Sequence, residues 1–107
     1  MNDLFFKLTA SYLKALSHPT RLKIINILKE KELCVCVILE KLDLEQSNVS
    51  QHLRVLKEQN IVESRRDGSK IMYKVKDRNV FFILNKINDS LLKQLSETQD
   101  QLKKGGL

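Results

Sequence analysis

Ser47, Asn48, Ser50, Gln51 and Arg54 stand within eight consecutive residues. Their side chains suit one chemistry. Amides pair bidentately with adenine, a guanidinium pairs with guanine, and hydroxyls reach bases or phosphates. Spacing supports that reading. At about 100° per residue, the increment of an α-helix, Leu53 and Leu56 fall within about 40° of Val49, which makes these three a buried face. Ser47, Gln51 and Arg54 then gather opposite, with Asn48 and Ser50 on the flanks. A helix facing only solvent favours Glu and Lys at such positions. His52 falls on the shoulder of the buried face, where packing or a hydrogen bond beside the preceding helix is expected rather than a base contact.

A second set of groups follows. Arg65, Arg66, Lys70, Lys74 and Lys76 lie within twelve residues, opposed only by Asp67. Side chains alternate across a strand, so these cations cannot all point one way. The tip residues Arg66, Ser69 and Lys70 are the ones expected to meet nucleic acid, at phosphates or in the minor groove. From Gln46 to Lys76 the charge is +4, out of +6 for the whole chain.

A third set is the pair Cys34 and Cys36. Thiolates prefer soft partners such as arsenite, cuprous copper, mercury, cadmium or lead. A helix start lowers a thiol's pKa and favours its reactive form. Two sulfurs are one donor short of a trigonal arsenite site and two short of a tetrahedral zinc site. A small thiol or a partner chain could complete the set, or oxidation could link the two. Residues two apart in a regular helix point about 200° away from each other, so either event would distort a helix carrying both. The third reading is that both are packing residues, since Cys is often buried.

The elements that must position these groups are legible in the periodicity. Leu4, Phe5, Leu8, Tyr12, Leu13 and Leu16 recur at helical spacing over about 3–16. Pro19 disfavours helical geometry at His18 and suits the first turn of a second helix. That helix uses Leu22, Ile25 and Leu28, widened by Ile24 and Ile27. A third helix spans Cys34 to Leu42. Its turn contains Leu44, placed to plug the core, and the fourth helix runs from Gln46 to Gln59. Asn60 suits a left-handed cap. The period then drops from 3.6 to 2 through about 61–76, with Asp67-Gly68 as a hairpin turn. Asp77 can cap a last helix from about 78 to 101, striped by Val80, Ile83, Leu84, Ile87, Leu91 and Leu95, before a fraying tail. The expected fold is mostly α with a small β-hairpin: five helices plus a wing, with a helix-turn-helix at about 34–60.

Composition narrows the function. A chain of 107 residues reads as a single domain. A basic balance suits a polyanion. Two cysteines within three residues of each other build no disulfide scaffold. No run spans a membrane and the N-terminus lacks a signal-peptide pattern, so cytoplasm is expected. No nucleophile triad, metal quartet or phosphate loop is visible, and no enzyme is expected. The Ser47/Gln51/Arg54 face carries no aromatic residue for stacking on single strands. Binding of RNA or protein by the same module is the alternative.

LSHPTRLKIINILKEKELCVC, followed by LDLEQSNVSQHLRVLKEQNIVESRRDGSKIMYKV, resembles the ArsR/SmtB family of metal-responsive repressors over about residues 4–95. That resemblance implies a homodimeric winged helix-turn-helix repressor that binds double-stranded operator DNA and leaves it when an inducer binds. It implies dimerisation through the first and last helices. No resident cofactor is implied. ELCVC is similar to the arsenic- and cadmium/lead-sensing branches, which carries a metal-ligand role to Cys34 and Cys36 alone. A further cysteine three residues on is replaced by Leu39. The last helix has no His, so the zinc site of other members is not implied.

Overall fold

The computed structural model describes residues 2–105. Helix α1 spans Asp3–Leu16, α2 Pro19–Ile27, α3 Val35–Leu42, α4 Gln46–Glu58 and α5 Asn79–Gly105. Strands β1 (Leu33–Cys34), β2 (Val62–Asp67) and β3 (Lys70–Val75) form one antiparallel sheet in the order β1-β3-β2. The chain divides into two compact units between Asp77 and Arg78.

Local chemistry sets most boundaries. The Asn2 side chain accepts the Phe5 N–H at the start of α1. His18 caps α2 with Nδ1 accepting the Thr20 N–H at 3.0 Å, and Pro19 follows where its missing donor costs nothing. Asp43 ends α3 in the left-handed region at φ 52°, and Asn60, as expected, adopts φ 59° after α4. In the hairpin, Val62 pairs with Val75 and Asp67 with Lys70. Gly68 has φ 64° in the two-residue loop, at the position where primed turns require positive φ.

The core of the first unit is aliphatic. Ile24 and Ile25 of α2, Ile38 of α3, and Val49, Leu53 and Leu56 of α4 are fully or almost fully buried, as are Ile61 and Val62. Burying each such side chain contributes roughly 1.5–3 kcal/mol. Three apolar residues on one face of α4 therefore hold that helix down and fix which face remains outside.

Several expectations need correction. The sheet has a third strand, β1, too short for any alternation to reveal it. Cys34 lies in this strand, and α3 begins one residue later. Leu44 does not plug the core but remains exposed, and Leu22 is exposed while Ile24 is buried. Helix α5 starts at Asn79 and continues past Gln101 to Gly105. The expected fraying of the tail falls partly on Gly106 and Leu107, which lie outside the described residues. Within α1 only Ala15 and Leu16 are buried, leaving Leu4, Phe5, Leu8 and Leu13 exposed. In α5, Ile87, Leu91 and Leu95 are likewise exposed. No helix among the described residues is long and apolar enough to cross a membrane.

Candidate nucleic-acid interface

The face assembled from sequence alone is open. Ser47, Asn48, Ser50, Gln51 and Arg54 are all exposed, while Val49, Leu53 and Leu56 are 0–1% exposed. The wing tip is open too: Arg66, Ser69 and Lys70 are exposed. Glu45 caps α4 through its backbone only, with no side-chain hydrogen bond.

Not every cation is available. The Arg65 guanidinium grips Glu32, with Nε at 3.1 and 3.0 Å from the carboxylate oxygens and Nη2 at 2.6 Å from Oε1. This bidentate pair holds the Glu32 carboxyl below its usual range, chiefly through the hydrogen bond from Arg65, which outweighs an opposing desolvation and is helped by the charges of Arg65 and Lys74. Lys74 pairs with Glu63 at 3.3 Å, and Lys57 donates to Ser64 Oγ at 2.7 Å. Arg54, Arg66, Lys70 and Lys76 make no ion pair with another described residue. Within this surface, cations without an ion pair to another described residue therefore sit on α4 and at the wing tip, plus Lys76 at its base.

His52 is anchored against α2 rather than α3. Its ring lies 4.3 Å from that of His18, and Nδ1 lies 3.0 Å from Arg21 Nη1. Arginine stays protonated and only donates, so Nδ1 must accept. Burial, then the positive surroundings of His18 and Arg21, push the His52 pKa below the ordinary histidine value. The same guanidinium donates to the carbonyls of Ala15 at 2.6 Å and Lys14 at 3.2 Å. One arginine thus ties α4 to the last turn of α1. Nothing local in the sequence signalled this clamp, because its partners lie 6, 7 and 31 residues away.

The two cysteines meet. Cys34 sits at the N-cap of α3 with extended backbone (φ −74°, ψ 155°), Cys36 lies in the first turn, and their sulfurs form a disulfide. The expected helix distortion does not arise, because the helix begins only after Cys34. Cys34 is buried and Cys36 exposed. Cys34 also pairs with Met72 in the ladder between β1 and β3. The bridge therefore connects the sheet of the wing to the first helix of the helix-turn-helix. Among the described residues no third His, Cys, Asp or Glu joins them in a cluster able to hold a metal ion.

The cysteines also line a cleft of about 330 Å³ between β1/α3, α4 and the wing. Gln46 and Ser50 of α4 and Ser69 and Lys70 of the wing tip line it as well. Sequence reading missed this cleft, since its walls come from three separated segments.

Residues 18–64 match the family described as bacterial regulatory protein, arsR family. The chain is 34% identical to the transcriptional repressor SmtB homolog of Synechocystis sp. over 82 residues, which are 77% of this chain and 62% of that protein. It is 34% identical to the arsenical resistance operon repressor of Staphylococcus xylosus over 96 residues, 90% of this chain and 86% of that one. Among solved structures, the homodimeric winged helix-turn-helix DNA-binding domain Mb0332 from Mycobacterium bovis superposes with a TM-score of 0.76 at 25% identity, covering 88% of this chain and 93% of the other.

Proposed function

The chain belongs to the ArsR/SmtB family of winged-helix transcriptional regulators, and from that premise we propose that it is a homodimeric repressor of duplex operator DNA with its release trigger at Cys34 and Cys36. The observation that carries the DNA reading is the open face of α4. Five polar side chains project from a helix whose opposite side is sealed by Val49, Leu53 and Leu56. The N-terminal part of α4 enters the major groove, where Asn48, Gln51 and Arg54 meet base edges and Ser47 and Ser50 meet bases or phosphates. Arg66, Ser69 and Lys70 hold the flanking backbone or minor groove. In the dimer, the apolar stripes of α1 and α5 (exposed Leu4, Phe5 and Leu8; half-buried Leu84 with exposed Ile87 and Leu91) are covered by the partner chain. Two recognition helices then fit half-sites about one helical turn apart.

Two triggers use the same sulfurs. A thiophilic metal or metalloid, with arsenite as the first candidate, is favoured by the arsenical repressor relative. Oxidation is favoured by the disulfide between Cys34 and Cys36, which needs no donor from outside. Either event acts at the junction of wing and helix-turn-helix, so the two DNA-reading parts would shift together. An allosteric coupling of typical size weakens binding roughly 5- to 150-fold.

Fluorescence anisotropy on a labelled operator duplex tests both levels. The reduced protein binds; arsenite, copper(I), cadmium or peroxide releases it. Cys34→Ser with Cys36→Ser binds normally and ignores all four. Failure of the reduced protein to bind any duplex ends the repressor reading. Unchanged release of the double variant by arsenite and peroxide ends the thiol switch alone.

A further inference from the structure

We propose that the cleft between the sulfur pair, α4 and the wing tip docks a carboxylate-bearing small-molecule disulfide, which the Cys36 thiolate attacks. The inference rests on the thiol switch above and names the chemical class of its oxidant.

Three features of the cleft point to that class. Its sulfur is accessible on one side only: Cys36 is exposed and Cys34 is 5% exposed, so an incoming disulfide meets Cys36 first. Cys36 also lies in the first turn of α3, where unpaired backbone N–H groups favour the thiolate. Across the cleft stands Lys70, which has no ion-pair partner among the described residues. An ammonium with no counter-charge selects an anionic head group. The Gln46 amide and the Ser50 and Ser69 hydroxyls, which line the same cleft, offer both donors and acceptors to a peptide-like body. At about 330 Å³ the space falls at the small end of ligand sites, matching a molecule of a few residues rather than a polymer.

The chemistry balances without a further reagent. The Cys36 thiolate attacks one sulfur of the small disulfide RSSR. A Cys36–SR bond forms, the R–S–S–R bond breaks, and RS⁻ leaves with the electron pair and takes a proton. The Cys34 thiolate then attacks Cys36 Sγ. The Cys34–Cys36 bond forms, the second RS⁻ leaves, and one dithiol and one RSSR have become one protein disulfide and two RSH. Cys34 is the resolving residue. During the first step the R group occupies the space between the N-terminal half of α4 and the wing tip, so DNA and the docked molecule compete for Ser50 and Lys70.

The test uses full-length reduced protein, acid-quenched and read by intact mass. In Cys34→Ser the adduct on Cys36 cannot resolve. Glutathione disulfide, which bears carboxylates, is compared with cystamine, which bears ammonium groups, each rate divided by that of the same variant unfolded in urea. We expect one glutathionyl group per chain and a normalised preference for glutathione disulfide. Lys70→Ala lowers that preference about fivefold, the effect of losing one partly exposed ion pair, whereas Lys93→Ala on α5 leaves it intact. In the wild type, glutathione disulfide closes the bridge, releases two equivalents of glutathione and lowers duplex affinity. Equal normalised rates for the two reagents, a preference that survives Lys70→Ala, or no adduct on Cys36 overturns the proposal. The mass readout needs no DNA, so it stands or falls apart from the repressor reading.

Discussion

The sharpest consequence of the ion-pair geometry concerns salt. Arg65 and Lys70 stand on the same hairpin and would look equivalent to any count of basic residues. Arg65 is spent on Glu32 in a bidentate pair, whereas Lys70 is exposed and has no ion-pair partner among the described residues. If Lys70 neutralises one phosphate per protomer, Lys70→Ala removes two such contacts from a dimer. The slope of log K against log salt then becomes shallower by about 1.8, since each neutralised phosphate contributes about 0.9. Between about 50 and 200 mM salt that amounts to roughly a tenfold smaller loss of affinity for the variant than for the wild type. The double change Arg65→Ala with Glu32→Ala deletes a cation and an anion that already cancel, and should leave the slope unchanged. Anisotropy titrations at four salt concentrations on one operator duplex read both values. A slope that flattens as much for the Arg65/Glu32 double change as for Lys70→Ala would refute the division into spent and available cations.

Three further outcomes follow from packing and charge. Leu56→Ala removes a fully buried side chain under the recognition face and should cost about 2–5 kcal/mol in urea unfolding. Burial first, then the charges of His18 and Arg21, depress the folded-state pKa of His52, so the unfolded chain binds the proton more readily. Its contribution to stability is therefore complete above the unfolded histidine value near 6.5 and declines as pH falls below it; His52→Gln should flatten that part of a stability–pH curve, and an NMR titration should place the His52 pKa below 6.5. Replacing Leu91 and Leu95 by Asp on the exposed stripe of α5 should shift the protein from dimer to monomer by sedimentation, while helix content by circular dichroism is retained.

What near neighbours decide was readable from the chain. The face of α4 follows from the spacing of Val49, Leu53 and Leu56, because one turn of helix repeats every 3.6 residues and burial must follow that repeat. The hairpin follows from alternation around Gly68, which alone among the turn residues takes a positive φ without a Cβ to object. Asn60 as a left-handed cap belongs to the same class. Boundaries slipped where a tertiary partner intervened. The neighbours of Cys34 suit a helix, yet β3 captures it as a strand residue opposite Met72. A two-residue strand has no period of its own to announce it.

The sequence determined that a polar helix face and a basic hairpin would exist, since each is written in consecutive residues. Which charges remain for a partner depends instead on how distant segments pack. Arg65 meets Glu32 across 33 positions, and Arg21 meets His52 across 31. The tertiary structure also decided that two cysteines expected to point apart can meet, and that their sulfurs open onto a cleft shared with α4 and the wing. The physical reason is range. Periodicity and capping are short-range preferences of the backbone, whereas an ion pair or a cleft wall depends on where the buried core brings distant segments together.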